Sequence, residues 1–253
     1  MKVAQYHMAE DIFLPVDEIT SNDFTQQYIR LRQQEGRLYS DEEVTMLPEV
    51  AGTNPHRQEW HLRKKSCQRL VQYLRKKQKP LKILEVGCGN GWLCHQLAKI
   101  KDTTVVGLDI NFVELQQATR VFKDQPNLSF FYGDIQSSVL HASQFDIIVF
   151  AASLQYFKSL NEIINNALLH LKDGGELHIL DTPFYMGNEV PFARQRSEDY
   201  FTAIGFPRMT DFYFHHSIEN LKYYPYKFLY NPYSITNKLS GDKNPFYWIR
   251  IKV

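Results

Sequence analysis

The chain has 253 residues, of which 43% are hydrophobic and 14% are aromatic. This length and composition fit one large domain, or one domain with an attached smaller module, and exclude a mainly disordered chain. The charges nearly balance, with 29 Lys and Arg against 28 Asp and Glu, so overall charge favours neither nucleic acid nor membrane as a partner.

The N-terminal 80 residues are predicted to form a helical extension or cap. Apolar residues at helical spacing indicate helices over 22–36 and 57–77, and Pro80 ends this part. Lys and Arg dominate residues 57–82, where Glu59 stands almost alone against them. We interpret this stretch as a solvated helix face, and the alternative is a patch for an anionic acceptor, a lipid headgroup or RNA.

From residue 81 onward, short apolar runs alternate with helical patterns. Strands are predicted at 81–86, 104–109, 128–133, 145–151, 176–181, 209–215 and 246–253, and helices at 91–100, 112–123, 135–142, 160–172 and 192–204. This alternation predicts an α/β domain over 81–253, with a mostly parallel sheet covered by helices on both faces. The long, tyrosine-rich segment 217–245 lies between the last two predicted strands, and we expect it to form a cap insert.

Three glycines follow the first of these strands in the segment ILEVGCGNGWLCHQLA (83–98). Glycine lets the chain turn tightly and lets a ligand approach the backbone, while the helix that follows presents free N–H groups. Asp109 ends the second strand, where a carboxylate can accept hydrogen bonds from ribose hydroxyls. The G-x-G-x-G spacing differs from the G-x-G-x-x-G of dinucleotide-binding folds and so disfavours an NAD(P)-dependent oxidoreductase, which stays as the alternative.

Five motifs in order resemble those of class I S-adenosylmethionine-dependent methyltransferases. They are the glycine loop, VVGLDIN (105–111), FFYGDIQ (130–136), FDIIVFAASLQYF (145–157) and LLHLKDGGELHI (168–179). EGRLYSDEEVTMLP (35–48) is also similar to a bacterial subgroup of small, type 11-like methyltransferases. The resemblance implies a Rossmann-like sheet of seven strands whose last strand, 246–253, is antiparallel.

The resemblance also implies S-adenosylmethionine as the cofactor and assigns its contacts to particular positions. The methionine end would be shaped by Glu85, Gly87, Cys88, Gly89 and Gly91. The ribose would be held by Asp109, with Ile110 and Asn111 beside it. The adenine would lie against Asp134 and Ile135, and the sulfonium near Ala151, Ser153 and Leu154. Arg37 or Tyr39 of the N-terminal extension is expected to meet the methionine carboxylate.

Methyl transfer from a sulfonium is an in-line displacement, so the protein mainly aligns the acceptor and excludes water. An oxygen or nitrogen acceptor also needs a base. The end of the fourth motif, ASLQYF (152–157), supplies no carboxylate. His215 and His216, which end the strand predicted at 209–215, are the base candidates. Ordinary rim positions are the alternative for both, and His61 is a further candidate. The remaining histidines considered are expected to be structural: His95, His170 and His178.

The three cysteines and the N-terminus bear on the compartment. Cys67, Cys88 and Cys94 cannot all pair and lack zinc-finger spacing, so reduced thiols in a cytoplasmic protein without a metal site are the simplest interpretation. The first 18 residues hold no long apolar run, so no signal peptide is expected. No segment approaches the ~20 apolar residues of a membrane span.

The sequence therefore predicts a methyltransferase that acts on a small molecule or on a glycan- or lipid-linked acceptor. Besides the oxidoreductase, two alternatives stay open. One is a macromolecular methyltransferase for RNA or protein, which only the basic helix favours. The other is a non-catalytic member that keeps the fold for partner binding.

Overall fold

A computed structural model describes residues 6–9, 12–15, 23–136, 140, 142–235, 237 and 244–253. The helices are α1 (Asp23–Gln34), α2 (Asp41–Met46), α3 (Arg57–Arg75), α4 (Trp92–Ala98), α5 (Phe112–Phe122), α6 (Leu160–His170) and α7 (Val190–Ala203). The strands are β1 (Tyr6–Ala9), β2 (Ile12–Pro15), β3 (Leu81–Val86), β4 (Thr103–Asp109), β5 (Leu128–Tyr132), β6 (Phe145–Ala151), β7 (Leu171–Leu180), β8 (Phe184–Tyr185), β9 (His216–Ser217), β10 (Tyr226–Tyr230) and β11 (Trp248–Lys252).

Within the described residues, nine strands form one sheet in the order β1-β2-β5-β4-β3-β6-β7-β11-β10. Neighbours from β2 to β7 in this order run parallel, whereas β11 is antiparallel to both β7 and β10. The Rossmann-like sheet with an antiparallel last strand is thereby confirmed. It is also wider than expected, because the antiparallel pair β1 and β2 extends it beyond β5.

The central strands are apolar on both faces because helices cover both sides of the sheet. Successive residues Ile83 and Leu84 of β3 are both fully buried but belong to two separate core clusters. Since neighbouring side chains of a strand point to opposite faces, the two clusters lie on opposite sides. Helices α3, α4 and α5 supply the first cluster, and α6 supplies the second.

The prediction of a strand at 209–215 is wrong. Residues Pro207–Phe212 form a 3-10 helix, with a proline at its first position, where the missing N–H leaves no bond unmade. The strand expected beside the last strand is instead β10, which pairs with β11. It lies inside the segment 217–245 that was expected to be a cap. The helix predicted at 135–142 falls largely outside the described residues.

The N-terminal extension packs closely against the rest of the chain. The buried face of α3, with Trp60, Leu70 and Leu74, belongs to the same core cluster as α4. Basic residues of α3 and of the segment just after it have partners within the chain. Lys77 Nζ lies 2.7 Å from a Glu176 oxygen, and the Arg69 guanidinium lies 4.1 Å from the centre of the Tyr230 ring. These contacts favour a structural role for the basic helix.

No helix in the described part of the chain combines the length and the apolarity that crossing a membrane requires.

Candidate functional site

The strand order reverses between β3 and β6, and in open α/β sheets ligands bind at such a point, beyond the carboxyl ends of the strands. Gly87 follows β3 with a φ of +74°, and a Cβ there would lie 2.5 Å from the Cβ of Ser153, which follows β6. The Ser153 hydroxyl donates to the Val86 carbonyl over 2.6 Å. Glycine is needed at position 87 because the two chain segments touch.

The other two glycines of the loop have different neighbours. A Cβ at Gly91 would lie 2.6 Å from Cζ of Phe130, so this glycine serves internal packing. A Cβ at Gly89 would meet only the Glu114 carboxylate, with both oxygens at 3.4 Å. The nearest contact at Gly89 is thus longer than those at Gly87 and Gly91, so a ligand can approach the backbone beside the Glu114 carboxylate.

Two cavities adjoin the glycine loop. The inner cavity, about 140 Å³, lies between the loop, the carboxyl end of β4 and Phe24 of α1. The loop cavity, about 90 Å³, lies between the loop, α3 and the Arg37–Tyr39 segment. Both are lined by Gly87, Gly89 and Glu114, so they are adjacent parts of one site.

A third, larger cavity of about 400 Å³, here called the outer cavity, lies beside these two. Ala152, directly after β6, lines all three cavities and has a left-handed backbone with a φ of +55°. Such backbone strain in a residue other than glycine is concentrated at functional sites. Ala152 therefore marks the point where a ligand in the inner and loop cavities would meet one in the outer cavity.

Most residues proposed for the cofactor line the two cavities at the loop. The inner cavity is lined by Gly87, Gly89, Asp109, Ile110, Asn111, Asp134 and Ser153, and the loop cavity by Arg37, Tyr39, Glu85, Cys88 and Ala151. Three others lie elsewhere. Ile135 and Leu154 are buried in the core below the site, and Gly91 packs on Phe130.

Neither base candidate lines any of these three cavities. His216 is buried, with Nε2 3.1 Å from the Leu154 carbonyl oxygen, and Nε2 of His215 lies 2.9 Å from the Ser197 hydroxyl. Their positions follow from the missing strand at 209–215, which was expected to carry them to the ligand edge. His61 is exposed on α3 and also lies outside the cavity walls.

Asp109 ties the glycine loop to the end of β4. Its carboxylate accepts the Gly89 N–H at 2.7 Å and the Asn111 N–H at 2.8 Å. Burial raises the pKa of Asp109, and these backbone donors oppose the rise. Each carboxylate oxygen still has a lone pair for a ligand, so Asp109 can accept hydrogen bonds from hydroxyl groups in the inner cavity.

Glu85 lies beneath the loop cavity, and its Oε2 accepts a hydrogen bond from the Cys94 thiol over 2.9 Å. Burial raises the pKa of Glu85 to about 8. Burial also raises the pKa of the Cys88 thiol, to about 12, which keeps this thiol neutral. Among the described residues no group of three or more His, Cys, Asp or Glu could hold a metal ion. Cys88 and Cys94 are both buried.

Two further carboxylates at the cavities were not found from the sequence. Glu114, in the first turn of α5, lines both the inner and the loop cavity. Asp181, directly after β7, lines the outer cavity and has a φ of +52°. Its position at the end of a predicted strand was a usable signal, because the carboxyl ends of parallel strands meet at the ligand edge.

Asp181 is held firmly in the wall of the outer cavity. Its Oδ1 accepts a hydrogen bond from the Ser66 hydroxyl over 2.5 Å, and Asn244 also donates to it. Burial raises the pKa of Asp181 to about 6, although these two donors and Arg63 oppose the rise. This carboxylate can therefore exchange a proton near neutral pH.

Arginines dominate the boundary between the loop cavity and the outer cavity. Arg37 and Arg63 line both, and each pairs with Glu59, at 2.6 and 2.8 Å. Burial alone would raise the pKa of Glu59, but the two arginines lower it to about 2. Nε of Arg37 lies 3.2 Å from a Glu35 carboxylate oxygen, so the Arg37 guanidinium has two carboxylate neighbours, Glu35 and Glu59.

Comparison with known proteins agrees with this geometry. Residues 83–175 match the model of a methyltransferase domain family. Malonyl-[acyl-carrier protein] O-methyltransferase of Halalkalibacterium halodurans is 32% identical over 126 residues, which cover 46% of each chain. Ubiquinone biosynthesis O-methyltransferase of Bartonella tribocorum is 33% identical over 101 residues, which cover 39% of this chain and 40% of that protein. The chain thus matches less than half the length of either relative.

A solved structure, that of the CurJ carbon methyltransferase, superposes with a TM-score of 0.51 at 17% identity. The superposition covers 69% of this chain and 48% of the other, and it shows a shared fold. The family model spans β3, the glycine loop and the strands through Gly175, which carry most of the walls at the loop. Residues 83–175 therefore match a methyltransferase domain family, and the chain has the fold of a methyltransferase.

Proposed function

We propose that this chain binds S-adenosylmethionine in the inner and loop cavities and transfers its methyl group to an acceptor in the outer cavity. When bound, this cofactor supplies a methyl group activated by a sulfonium. Ala152 lines all three cavities, which supports this division, because the methyl group of the cofactor must face the acceptor.

The observation that carries the proposal is the acidic lining beside the glycine loop. Asp109, Glu114 and Asp134 line the inner cavity, and no Lys, Arg or His is among the described residues of its wall. S-adenosylmethionine brings a positive sulfonium and an ammonium group, which carboxylates attract. The pyrophosphate of NAD is negative and would be repelled at the same place, so the lining favours a methyltransferase over an oxidoreductase.

The walls of these cavities support a division of roles among the chain's residues. Asp109 would accept hydrogen bonds from the ribose hydroxyls, and Asp134 would lie at the adenine. Arg37, which lines the loop cavity, would receive the methionine carboxylate. Phe24 and Tyr28 of α1 line the inner cavity and would exclude water from it.

On the acceptor side we propose Asp181 as the base in place of the two histidines. As an acceptor oxygen or nitrogen attacks, the Asp181 carboxylate would take the proton from that atom and release it to solvent after the product leaves. S-adenosylmethionine would supply the methyl group, and its sulfur would keep the electron pair of the broken carbon–sulfur bond. Oε1 of Gln155, buried at the outer cavity without a hydrogen bond, would accept from another acceptor group.

A small-molecule acceptor suits the outer cavity, whose volume is about 400 Å³ and whose wall includes Tyr156, Tyr185 and Tyr213. One relative methylates a malonyl group on a carrier protein and another acts in ubiquinone biosynthesis, so a carrier-, glycan- or lipid-linked acceptor remains within this proposal. The three cysteines are all buried and unpaired, which supports the cytoplasm as the proposed location.

The cofactor assignment is tested by thermal unfolding with added ligands. We expect S-adenosylhomocysteine to raise the melting temperature and NAD to leave it unchanged. A ligand at a hundredfold excess over its Kd stabilises the folded state by about 2.7 kcal/mol. Stabilisation by NAD alone would contradict the proposal.

Replacing Asp109 with Ala should weaken S-adenosylhomocysteine binding by about tenfold to a hundredfold, since hydrogen bonds to a charged group contribute about 1.5–3 kcal/mol. Calorimetric titration measures the change. Asp124→Ala is the matched control, because Asp124 is exposed just after α5. An equal affinity for both variants would mean that the ribose lies elsewhere.

A further inference from the structure

We propose that Glu114 is the residue that lets this site distinguish the positively charged cofactor from its neutral product. The inference rests on the proposed function and extends it to a specificity-determining residue. S-adenosylmethionine and S-adenosylhomocysteine share the adenosine, the amino group and the carboxylate. They differ only in the methyl group and in the charge that it places on sulfur.

The position of Glu114 points to the sulfur. Its side chain lines both the inner cavity and the loop cavity. In the proposed pose the adenosine fills the first and the methionine part fills the second. The sulfur atom is the link between these two halves, so a side chain in both walls lies beside it. Both carboxylate oxygens lie 3.4 Å from the position that a Cβ on Gly89 would take.

Local structure holds the Glu114 carboxylate in this place. Asn111 caps α5, with its side-chain oxygen 3.4 Å from the Glu114 backbone nitrogen that donates to it. The Asn111 amide nitrogen also donates to Oε2 of Glu114 over 3.3 Å. The carboxylate is thus anchored from below by an uncharged group, and its other side faces the cavities.

Among the residues that the structure describes, the charge of Glu114 has no cationic partner at contact distance. The two nearby arginines are engaged elsewhere: Arg32 pairs with Glu35 at 2.9 Å and Arg63 with Glu59 at 2.8 Å. Within the described ranges of the chain, no Lys, Arg or His lies within ion-pair distance of Glu114. A cationic ligand would supply the missing partner.

The groups facing Glu114 come from several elements. Asp109 at the end of β4 repels its negative charge, Arg32 on α1 and Arg63 on α3 attract it, and the hydroxyl of Tyr28 and the thiol of Cys88 lie close by. Burial, together with Asp109, raises the pKa of Glu114. Without a ligand the carboxyl group therefore holds a proton more readily than an exposed one, and a nearby sulfonium should expel that proton.

This arrangement has a use in turnover. Methyl transfer removes the positive charge from sulfur, so the attraction between Glu114 and the ligand ends with the reaction. The product would then bind more weakly than the cofactor, and product inhibition would be reduced. The Glu114 carboxylate stabilises the bound cofactor before transfer. Its expected effect is therefore on the ratio of the affinities for cofactor and product, and not on the rate of the chemical step.

The test is calorimetric titration of the wild-type chain and of Glu114→Gln with S-adenosylmethionine and with S-adenosylhomocysteine. We expect Glu114→Gln to lower the affinity for the cofactor by about tenfold or more and the affinity for the product by less than threefold. Asp124→Asn is the matched control, because Asp124 is exposed just after α5, and it should change neither affinity. Equal losses for both ligands in Glu114→Gln would overturn the proposal.

A second measurement tests the proposed role of Glu114 even if Glu114→Gln fails to fold. Titrations of the wild-type chain in phosphate and in Tris, which differ in ionisation enthalpy, report protons released on binding. Cofactor binding near neutral pH should release more protons than product binding, and equal release would contradict the proposal. If neither ligand binds the wild-type chain, the proposed function itself fails, which is a separate and recognisable outcome.

Discussion

Replacing Asp181 with Asn is expected to lower kcat for methyl transfer by about a hundredfold or more, since general base catalysis typically contributes 10²–10⁴-fold. The amide keeps the size of the carboxylate and an oxygen for the Ser66 hydroxyl, but it cannot take a proton. Because the cofactor lies in other cavities, affinity for S-adenosylhomocysteine should stay within threefold. The measurement is S-adenosylhomocysteine formation with trial phenol, amine and carboxylate acceptors.

Asp173→Asn serves as the control, because Asp173 is exposed on the same strand, β7. A carboxylate acceptor is already ionised at neutral pH and needs no base. Full activity of Asp181→Asn on a phenol or an amine would therefore rule out the proposed role. Full activity on a carboxylate alone would contradict it equally, because it would assign an acceptor chemistry that leaves Asp181 without a proton to take.

The same variant should also change how stability depends on pH. Burial raises the pKa of Asp181 from 3.8 to about 6, so the folded chain binds this proton more tightly than the unfolded chain. The contribution of Asp181 to folding is therefore most favourable below pH 4 and declines as the pH rises toward 6. Above that range the loss corresponds to about 3 kcal/mol.

An amide at position 181 does not titrate, so Asp181→Asn should gain stability relative to the wild-type chain between pH 4 and pH 8. Urea unfolding at these two pH values measures the difference without any acceptor. A difference that stays constant with pH would mean that Asp181 has an ordinary pKa.

The sequence predicted the cofactor side of the site better than the acceptor side, and the reason is physical. The glycine loop and Asp109 follow strands whose apolar runs are local signals, and a parallel sheet brings their ends together whatever else the chain does. The position of His215 depended instead on one short strand. Proline at 207 and a 3-10 helix placed that strand further along, at β10.

Asp181 and Glu114 show what the hydrophobic periodicity of the sequence does not predict. Asp181 lies at the end of a predicted strand, and Glu114 lies in the first turn of a predicted helix. The sequence therefore predicted the approximate position of both residues. Their chemical importance comes from burial and from neighbours distant in sequence, such as Ser66 and Asn244 for Asp181. Such neighbours are set by how α3 and the C-terminal segment pack on the sheet, which local sequence patterns do not encode.

Substitution of Gly87 by Ala should lower stability more than the same substitution at Gly36. Gly87 and Gly36 have similar backbones, with φ of +74° and +66°, but a Cβ at Gly36 meets nothing within 4 Å. Gly36→Ala should therefore lower the free energy of unfolding only by the strain of a left-handed residue, about 1–2 kcal/mol. Gly87→Ala adds the collision with Ser153, which should contribute about 1–3 kcal/mol more.

Gly89→Ala completes the comparison, because its new Cβ would meet only the Glu114 carboxylate at ordinary contact distance. Its loss of stability should match that of Gly36→Ala, whereas its affinity for S-adenosylhomocysteine should fall sharply, since the methyl group would enter the space where the ligand approaches the loop. Urea unfolding and calorimetric titration of the three variants give both quantities. If Gly87→Ala lost no more stability than Gly36→Ala, the contact between the ends of β3 and β6 would not be the reason for glycine at this position. If Gly89→Ala bound the ligand normally, the cofactor could not lie against this loop.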